Sequence, residues 1–148
     1  MFRLDGKVAL ITGAAGGLGD KIARTLHAQG AKLALTDMRA EPMEKLKSEL
    51  GENVEIFVAN LSDSEAIKQL VSDVEAKFGQ IDILVNNAGI IRRIPMHEMS
   101  AEEFRKVIDV DLNAPFIVSK AVIPAMIKKG HGKIINICSM MSELGRET

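Results

Sequence analysis

The sequence predicts a doubly wound α/β domain built on a mostly parallel sheet of about five strands. Short apolar runs, most of them rich in β-branched residues, have the length and chemistry of strands buried on both faces. They alternate with helical segments long enough to cross between parallel strands. The chain has 148 residues, of which 47% are hydrophobic and 26% charged, and this balance fits one globular domain rather than a disordered chain.

Five of the apolar runs are predicted to be strands. They cover residues 8–11, 33–35, 54–58, 83–85 and 134–137. Right-handed crossovers between them would bring the carboxyl ends of the strands to one edge of the sheet. Ligands of doubly wound folds bind at that edge, beside the point where the strand order reverses.

The first two helical segments follow the first two predicted strands. One covers residues 18–29 and closes with Gly30, and the other covers residues 43–50 and ends at Gly51. Glycine is common directly after a helix, because it adopts the left-handed conformation that ends one. Both glycines therefore support the predicted ends.

Two capping boxes predict the remaining helices. Ser62-Asp63-Ser64-Glu65 predicts the start of a helix that runs to Phe78. Ser100-Ala101-Glu102-Glu103 opens a second, longer helical segment. Pro115 and Pro124 interrupt that segment, so it is expected to have a kink or to form two pieces.

Composition excludes several classes of function. A formal net charge of −1 gives no broad basic field, which argues against nucleic acid as a partner. The one cysteine, Cys138, excludes a disulfide framework and a cysteine-based zinc cluster, and it is compatible with a reducing cytoplasm. No uncharged apolar run approaches the roughly 18–20 residues of a membrane span. We therefore expect a cytoplasmic protein that binds no membrane, no nucleic acid and no metal.

A glycine-rich string, Thr12-Gly13-Ala14-Ala15-Gly16-Gly17-Leu18-Gly19, directly follows the first predicted strand and opens the first predicted helix. Residues without bulk let the backbone approach a pyrophosphate, and the N–H groups of a helix N-terminus favour its negative charge. In this context the string predicts a dinucleotide site. Its candidate residues are Gly13, Ala15, Gly16, Gly17, Leu18 and Gly19. The alternative is a turn that serves only helix–strand packing.

Asp37 ends the second predicted strand, 18 residues beyond Gly19. At about this spacing a carboxylate accepts hydrogen bonds from the ribose of a bound adenosine. Because a carboxylate repels a 2′-phosphate, Asp37 favours NAD over NADP. Arg39 lies two residues on and could soften that preference, so NADP stays possible. The alternative is that Asp37 is the N-cap of the helix that follows.

Two further strand ends carry polar or small residues. Asn86-Asn87-Ala88-Gly89 follows the fourth predicted strand, where the amides could tie neighbouring loops together and the small residues leave room for a flat ring. Taken alone, the string also fits an ordinary turn. Ser139 follows the fifth predicted strand at the same edge of the sheet, where an isolated serine usually caps or turns the chain.

Taken together and in this order, the motifs resemble those of the short-chain dehydrogenase/reductase family across residues 7–148. Within the family, residues 89–95 and 135–146 are most similar to gluconate 5-dehydrogenases. Related sugar-acid and 3-oxoacyl-carrier-protein reductases are the nearest competitors. The resemblance implies a Rossmann sheet and hydride transfer between NAD or NADP and a secondary alcohol or ketone, with gluconate and 5-dehydrogluconate the expected pair.

The resemblance also implies roles for particular residues. It makes Ser139 the residue that hydrogen-bonds the substrate oxygen, and it places Asn87, Ala88 and Gly89 in the cofactor wall. Members of the family are commonly tetramers that pack through the long helices expected here between residues 100 and 129. A homo-oligomer that acts on a small-molecule substrate is therefore expected.

Three departures from the family pattern bear on catalysis. Asn60, next to Leu61, stands where the family often has an aspartate near the adenine, and both residues are expected in the cofactor site. Asp111 stands in the place of the family's catalytic asparagine. The family's Tyr-x-x-x-Lys motif supplies the general acid/base and comes about a dozen residues after the serine. The chain contains no tyrosine.

The pattern of elements halts shortly after the fifth predicted strand. We therefore expect residues 1–148 to be the N-terminal, dinucleotide-binding portion of a longer short-chain dehydrogenase, and we expect this portion alone to be inactive. Two other classes stay open. One is an NAD-binding module or pseudoenzyme without catalysis, and the other is a structural partner whose helix faces bind other chains.

Arg92 and Arg93 are candidates for contact with the substrate, and we predict that Arg93 makes this contact. A guanidinium binds a carboxylate through two parallel hydrogen bonds, which suits an aldonic acid. The alternative is a solvated pair of surface charges.

Overall fold

Five parallel strands form one sheet, and this confirms the predicted fold class. The structure is a computed structural model that describes residues 3–139. The strands lie in the order β3-β2-β1-β4-β5, and every neighbouring pair is parallel. They are β1 (Val8–Thr12), β2 (Lys32–Asp37), β3 (Val54–Val58), β4 (Ile83–Asn86) and β5 (Lys133–Asn136).

The helices connect successive strands. They are α1 (Gly17–Ala28), α2 (Ala40–Leu50), α3 (Ser64–Phe78), α4 (Ala101–Ile108) and α5 (Ala114–Lys129), with a π-helical segment (Asp109–Asn113) between the last two. Helix α2 begins at Ala40 rather than at residue 43. Pro42 lies in its first turn, where a missing N–H breaks no helical hydrogen bond.

One of the two predicted capping boxes is shifted by a residue. The N-cap of α3 is Asp63 rather than Ser62, and its Oδ1 accepts hydrogen bonds from the backbone N–H groups of Glu65 and Ala66 at 2.9 and 3.4 Å. A carboxylate at this position satisfies two N–H groups of the first turn. The second box is confirmed, since Ser100 Oγ accepts from the Glu103 N–H at 3.1 Å.

The long segment before β5 is one helical stretch in which a π-helical segment joins two α-helices, so the two pieces are present but the prolines do not separate them. The division lies in the π-helical segment, and Pro115 follows directly in the first turn of α5, where proline is tolerated. Pro124 lies inside α5 and does not end it. The change in hydrogen bonding therefore lies in the π-helical segment, which carries Asp111.

Apolar side chains cover both faces of the sheet. Because side chains alternate along a strand, Leu10 of β1 joins the core under α3 and α5, whereas Ile11 joins the core under α1 and α2. Both side chains are fully buried. Burying one such side chain stabilises the fold by roughly 2 kcal/mol, which explains why the strands are apolar at successive positions.

The two edges of the sheet differ in charge. At the β3 edge, Glu55 pairs with Lys47 of α2 at 2.5 Å and with Lys77 of α3 at 3.0 Å. Hydrogen bonds from these lysines hold the pKa of Glu55 below its usual value. At the other edge, β5 pairs with β4 alone among residues 3–139, and its Ile134 and Ile135 are 36% and 45% exposed.

A buried carboxylate joins the amino ends of the strands. Asp82 is 4% exposed, and it accepts hydrogen bonds from the Val8 N–H and from Lys129 Nζ, both at 3.0 Å. Lys7 Nζ and His131 Nδ1 lie 3.7 and 3.6 Å from it. Burial raises the pKa of Asp82, but the bond from Val8 and the ion pairs together lower it by more.

One helical stretch has the length and composition of a membrane span. Within Ala101–Lys129, an 18-residue window has a mean hydropathy of 1.4 and is 22% buried. The sequence expectation counted only uncharged runs, whereas this window admits up to two charges. Val118, Val122 and Met126 of α5 pack in the core, while Phe116 and Ile127 are exposed. A helix that packs one face on a sheet can have the same length and composition as a membrane span.

Candidate functional site

A groove lies at the carboxyl ends of β1, β2 and β4, beside the point where the strand order reverses. It consists of two adjoining clefts of about 440 and 330 Å³. Both clefts are lined by Gly13, Asp37, Arg39, Ala88 and Gly89. The larger also contains Asn60 and Leu61, and the smaller contains Gly16, Gly17, Leu18, Gly19 and Asn87. The fold therefore brings together three motifs that are far apart in the sequence. A larger depression of about 570 Å³, between α3 and α5, contains none of them.

The glycine-rich turn is packed so closely that two of its glycines leave no room for a side chain. Gly13 has a φ of +67°, and a Cβ built on it would lie 2.7 Å from Ala88 Cα. A Cβ on Gly19 would lie 2.3 Å from the Gly13 carbonyl oxygen. Gly17 is different, because a Cβ there would meet nothing within 4 Å. Packing therefore explains Gly13 and Gly19, but it does not explain Gly17.

The N-terminus of α1 opens onto the smaller cleft without a side-chain cap. Its N-cap is Gly16, which offers no acceptor for the N–H groups of the first turn. Helices α3 and α4 are capped by Asp63 and Ser100. Uncapped N–H groups at the positive end of a helix dipole suit an anionic ligand, so the donors present here fit a pyrophosphate.

Asp37 holds two neighbouring segments of backbone. Its side chain is 14% exposed, and its Oδ2 accepts a hydrogen bond from the Ala15 N–H at 3.2 Å. Its Oδ1 accepts from the Arg39 N–H at 3.1 Å, with Arg39 Nε at 3.5 Å. The N-cap of α2 is Arg39, and no side chain caps that helix. The alternative that Asp37 is the N-cap of α2 is therefore wrong.

Asn60 and Leu61 lie at the β3 side of the larger cleft. Asn60 is exposed, and its Oδ1 accepts a hydrogen bond from the Ser62 N–H at 3.0 Å. Leu61 is 7% exposed and belongs to the core under α3 and α5. The pair thus offers an amide and an apolar surface to the groove.

Thr12 joins the glycine-rich turn to the strand-end asparagines. Its Oγ1 accepts hydrogen bonds from the N–H groups of Asn87 and Ala88, both at 3.0 Å. In return, Asn87 Nδ2 donates to the carbonyl oxygens of Thr12 and Gly13 at 3.0 and 3.2 Å. The prediction that an amide ties neighbouring loops together is thus met. The sequence analysis assigned no role to Thr12. A hydroxyl at the end of an apolar strand could have indicated one.

Asn86 makes a second set of contacts on the other side of β4. Its Nδ2 donates to Asn136 Oδ1 at 2.8 Å and to Ser119 Oγ at 3.2 Å, and its carbonyl accepts from the Ile137 N–H at 2.9 Å. These bonds fix the chain just before Ser139. The sequence analysis assigned no role to Asn136 or Ser119. The polar Asn136 inside the apolar run 134–137 could have indicated one.

The two residues predicted to be catalytic lie on different elements. Asp111 is in the π-helical segment, and its Oδ1 accepts a hydrogen bond from the Ile90 N–H at 2.8 Å. It therefore holds the loop that follows Gly89. Ser139 is exposed and follows the end of β5, at the same edge of the sheet as the groove.

The structure distinguishes the two arginines. Arg92 Nε donates to Glu103 Oε2 of α4 at 2.8 Å, so Arg92 is already paired. The Arg92 guanidinium, together with Lys106, holds the pKa of Glu103 below its usual value. Arg93 is exposed and makes no hydrogen bond or ion pair with any other residue of 3–139. Over the same residues, no three His, Cys, Asp or Glu side chains group as metal ligands do.

Curated relatives match the whole chain. The 2-dehydro-3-deoxy-D-gluconate 5-dehydrogenase of Formosa agariphila is 42% identical over 100% of this chain and 58% of its own length. The gluconate 5-dehydrogenase of Gluconobacter oxydans is 40% identical over 99% and 58%. The 3-oxoacyl-acyl-carrier-protein reductase of Escherichia coli is 41% identical over 95% and 58%. The chain thus spans less than three-fifths of the length of these relatives.

Solved structures share the fold at high identity. A 2-keto-3-deoxy-D-gluconate dehydrogenase from Streptococcus agalactiae has 57% identity and a TM-score of 0.84, over 99% of this chain and 56% of that one. A metagenomic short-chain oxidoreductase in complex with NADP has 38% identity and a TM-score of 0.92, over 97% and 66%. The family model for short chain dehydrogenases matches residues 7–148. Sequence, fold and groove agree, and the chain belongs to the short chain dehydrogenase family.

Proposed function

We propose that this chain is the dinucleotide-binding portion of an oxidoreductase that transfers hydride between a nicotinamide cofactor and a secondary alcohol or ketone. The observation that carries the proposal is the groove, where the glycine-rich turn, Asp37 and residues 87–89 line one continuous surface. The uncapped N-terminus of α1 would hold the pyrophosphate, with Asn60 and Leu61 beside the adenine.

The preferred cofactor in this proposal is NAD. The carboxylate of Asp37 lines both clefts, so a 2′-phosphate bound there would be repelled at short range. Arg39 supplies the opposite charge at the same place, and a neighbour with 38% identity is a complex with NADP. NADP is therefore the second choice, with lower affinity.

The proposed substrate is a sugar acid, with gluconate and 5-dehydrogluconate as the reacting pair. Arg93 supports this choice, because an exposed guanidinium that is unpaired within residues 3–139 can bind a substrate carboxylate bidentately. The names of two relatives and of one solved neighbour point to the same chemical class. A relative that reduces 3-oxoacyl carrier proteins makes that activity the second candidate.

Two residues are assigned to the chemistry. Ser139 would hydrogen-bond the reacting oxygen of the substrate, and Asp111, which holds Ile90, would stand in the proton relay. When bound, the cofactor supplies the hydride acceptor. A hydroxyl proton must still leave, and the chain contains no tyrosine to take it. We therefore expect these 148 residues alone to bind cofactor without appreciable turnover, as an NAD-binding module would.

We also propose a cytoplasmic homo-oligomer that associates through α4 and α5. Phe104, Phe116 and Ile127 of these helices, and Leu112 of the π-helical segment between them, are between 55% and 74% exposed. Large exposed apolar side chains on neighbouring helical turns support an interaction site there. Light scattering on the purified chain measures the oligomer, and Phe116→Glu together with Ile127→Glu should shift it to a smaller species.

The test of function compares three proteins. One is the 148-residue chain, another carries a C-terminal extension from a relative with the Tyr-x-x-x-Lys motif, and the third carries that extension with its tyrosine changed to phenylalanine. NAD binding is measured by titration calorimetry, and NADH formation with gluconate is measured by absorbance. We expect all three to bind NAD and only the second to turn over. Absence of NAD binding by all three would overturn the proposal.

A further inference from the structure

The glycine-rich turn is attached to the end of β2 by two consecutive hydrogen bonds. The Ala14 N–H donates to the Thr36 carbonyl oxygen at 3.1 Å, and the Ala15 N–H donates to Asp37 Oδ2 at 3.2 Å. The second bond ends on a carboxylate, and charge-assisted bonds of this kind are stronger than bonds between neutral groups.

The other restraints on the turn act at its two ends, where Asn87 Nδ2 donates to the Gly13 carbonyl and Gly19 packs against the same carbonyl. Gly13, Gly16 and Gly17 lack side chains that would limit the backbone, and the turn's own hydrogen bond runs from the Gly16 N–H to the Gly13 carbonyl at 3.1 Å. The Ala15 side chain packs against the core under α1 and α2, and its N–H is the polar group by which a neighbour holds it. Asp37 provides that hold.

We infer that Asp37 is a positioning residue for the phosphate-binding turn, in addition to any contact that it makes with a ribose. This inference rests on the proposed cofactor site. The carboxylate uses Oδ1 for the N–H and Nε groups of Arg39 and Oδ2 for the Ala15 N–H, and Oδ2 keeps a second lone pair for a ligand hydroxyl. One side chain thus sets the shape of the turn and lines the cleft beside it.

The two roles predict effects of opposite sign on a ligand that carries phosphates but no ribose hydroxyls. If Asp37 acts only on the ribose, its removal takes away a negative charge and leaves phosphate binding unchanged or tighter. If Asp37 also positions the turn, its removal loosens the N–H groups that hold the phosphates, and binding weakens. A nucleotide without the 2′ and 3′ hydroxyls therefore separates the two roles.

The first measurement needs no ligand. Amide hydrogen exchange at Ala15 is followed by NMR in the 148-residue chain, in Asp37→Ala and in Asp37→Asn. We expect Ala15 to exchange at least about tenfold faster in Asp37→Ala. The asparagine has one carbonyl oxygen for two N–H donors, so its effect should be smaller. Arg39→Ala is the matched control, because it keeps both backbone bonds to Asp37 and should leave Ala15 unchanged.

The second measurement is the affinity for 2′,3′-dideoxy-ADP, with ADP as the reference ligand. We expect the dissociation constant for the dideoxy nucleotide to rise about tenfold in Asp37→Ala. If Asp37→Ala does not give a dispersed spectrum, Asp37→Asn replaces it in both measurements. Unchanged exchange at Ala15, or unchanged or tighter binding of the dideoxy nucleotide, would overturn the inference. A wild-type chain that binds neither nucleotide would contradict the proposed function, while exchange at Ala15 would still decide whether Asp37 holds the turn.

Discussion

Replacing Gly19 with alanine or valine should destabilise the domain and remove cofactor binding. Gly19 is the last residue of the glycine-rich string and lies in the first turn of α1. A Cβ at this position would lie 2.3 Å from the Gly13 carbonyl oxygen and 2.9 Å from Ala14 Cα. Both are backbone atoms, so no side chain can rotate away to make room. The turn itself would have to move by about 1 Å to restore ordinary contact.

The size of the effect follows from two opposing terms. Overpacking of a close contact costs about 1–3 kcal/mol. Alanine recovers up to about 1 kcal/mol, because it is a better helix former than glycine. The free energy of unfolding should therefore fall by roughly 1–2 kcal/mol for Gly19→Ala. It should fall further for Gly19→Val, whose branched side chain adds a second clash.

Gly17 offers a matched control in the same helix. A Cβ there meets nothing within 4 Å, so Gly17→Ala should gain helix propensity without a clash. Its free energy of unfolding should equal or slightly exceed that of the wild-type chain. Urea denaturation gives the stability of each variant, and titration calorimetry gives its affinity for NAD. Gly19→Val should show no measurable NAD binding under conditions where the wild-type chain is saturated.

Two results would refute this reasoning. A folded Gly19→Val protein that binds NAD with wild-type affinity would show that the turn does not hold the pyrophosphate. A Gly19→Ala protein as stable as the Gly17→Ala control would show that a Cβ at Gly19 does not clash with the Gly13 carbonyl oxygen.

Three further predictions concern other parts of the domain. Asp37→Ala should narrow or reverse the preference for NAD over NADP in titration calorimetry, because the repulsion of a 2′-phosphate is removed, and an unchanged affinity ratio contradicts this assignment. Asp82→Asn should lower stability at neutral pH by about 2 kcal/mol, since Lys129 loses a buried partner. The pKa of Asp82 is below its unfolded value of 3.8, so the stability that Asp82 contributes is present above pH 3.8 and is lost as the pH falls through the folded pKa. Urea titrations at several pH values should therefore show the free energies of unfolding of wild type and variant converging at acid pH. A difference between them that stays constant with pH contradicts this prediction. Thr36→Val should raise the melting temperature, because the buried Thr36 Oγ1 has no hydrogen-bond partner within residues 3–139. Removing this hydroxyl relieves a desolvation cost of about 1 kcal/mol. A lower melting temperature for the variant contradicts the prediction.

Local patterns in the sequence were sufficient to predict the elements of this fold. The run of Val8-Ala9-Leu10-Ile11 indicates a strand because it is apolar at successive positions, and only a strand covered on both faces needs that. Ser100 and Glu103 indicate a helix start because capping is a contact across three residues. The glycine-rich turn is likewise a local feature, and its order relative to the later motifs was enough to identify the family.

Contacts between distant residues were decided by the tertiary structure alone. Thr12 and Asn87 are 75 positions apart, and nothing local to either indicates that they share two hydrogen bonds. The same holds for the pairing of Arg92 with Glu103, which leaves Arg93 as the arginine of the two without a partner among residues 3–139. Periodicity and capping follow from short-range geometry, whereas the choice among possible partners follows from which strands lie side by side.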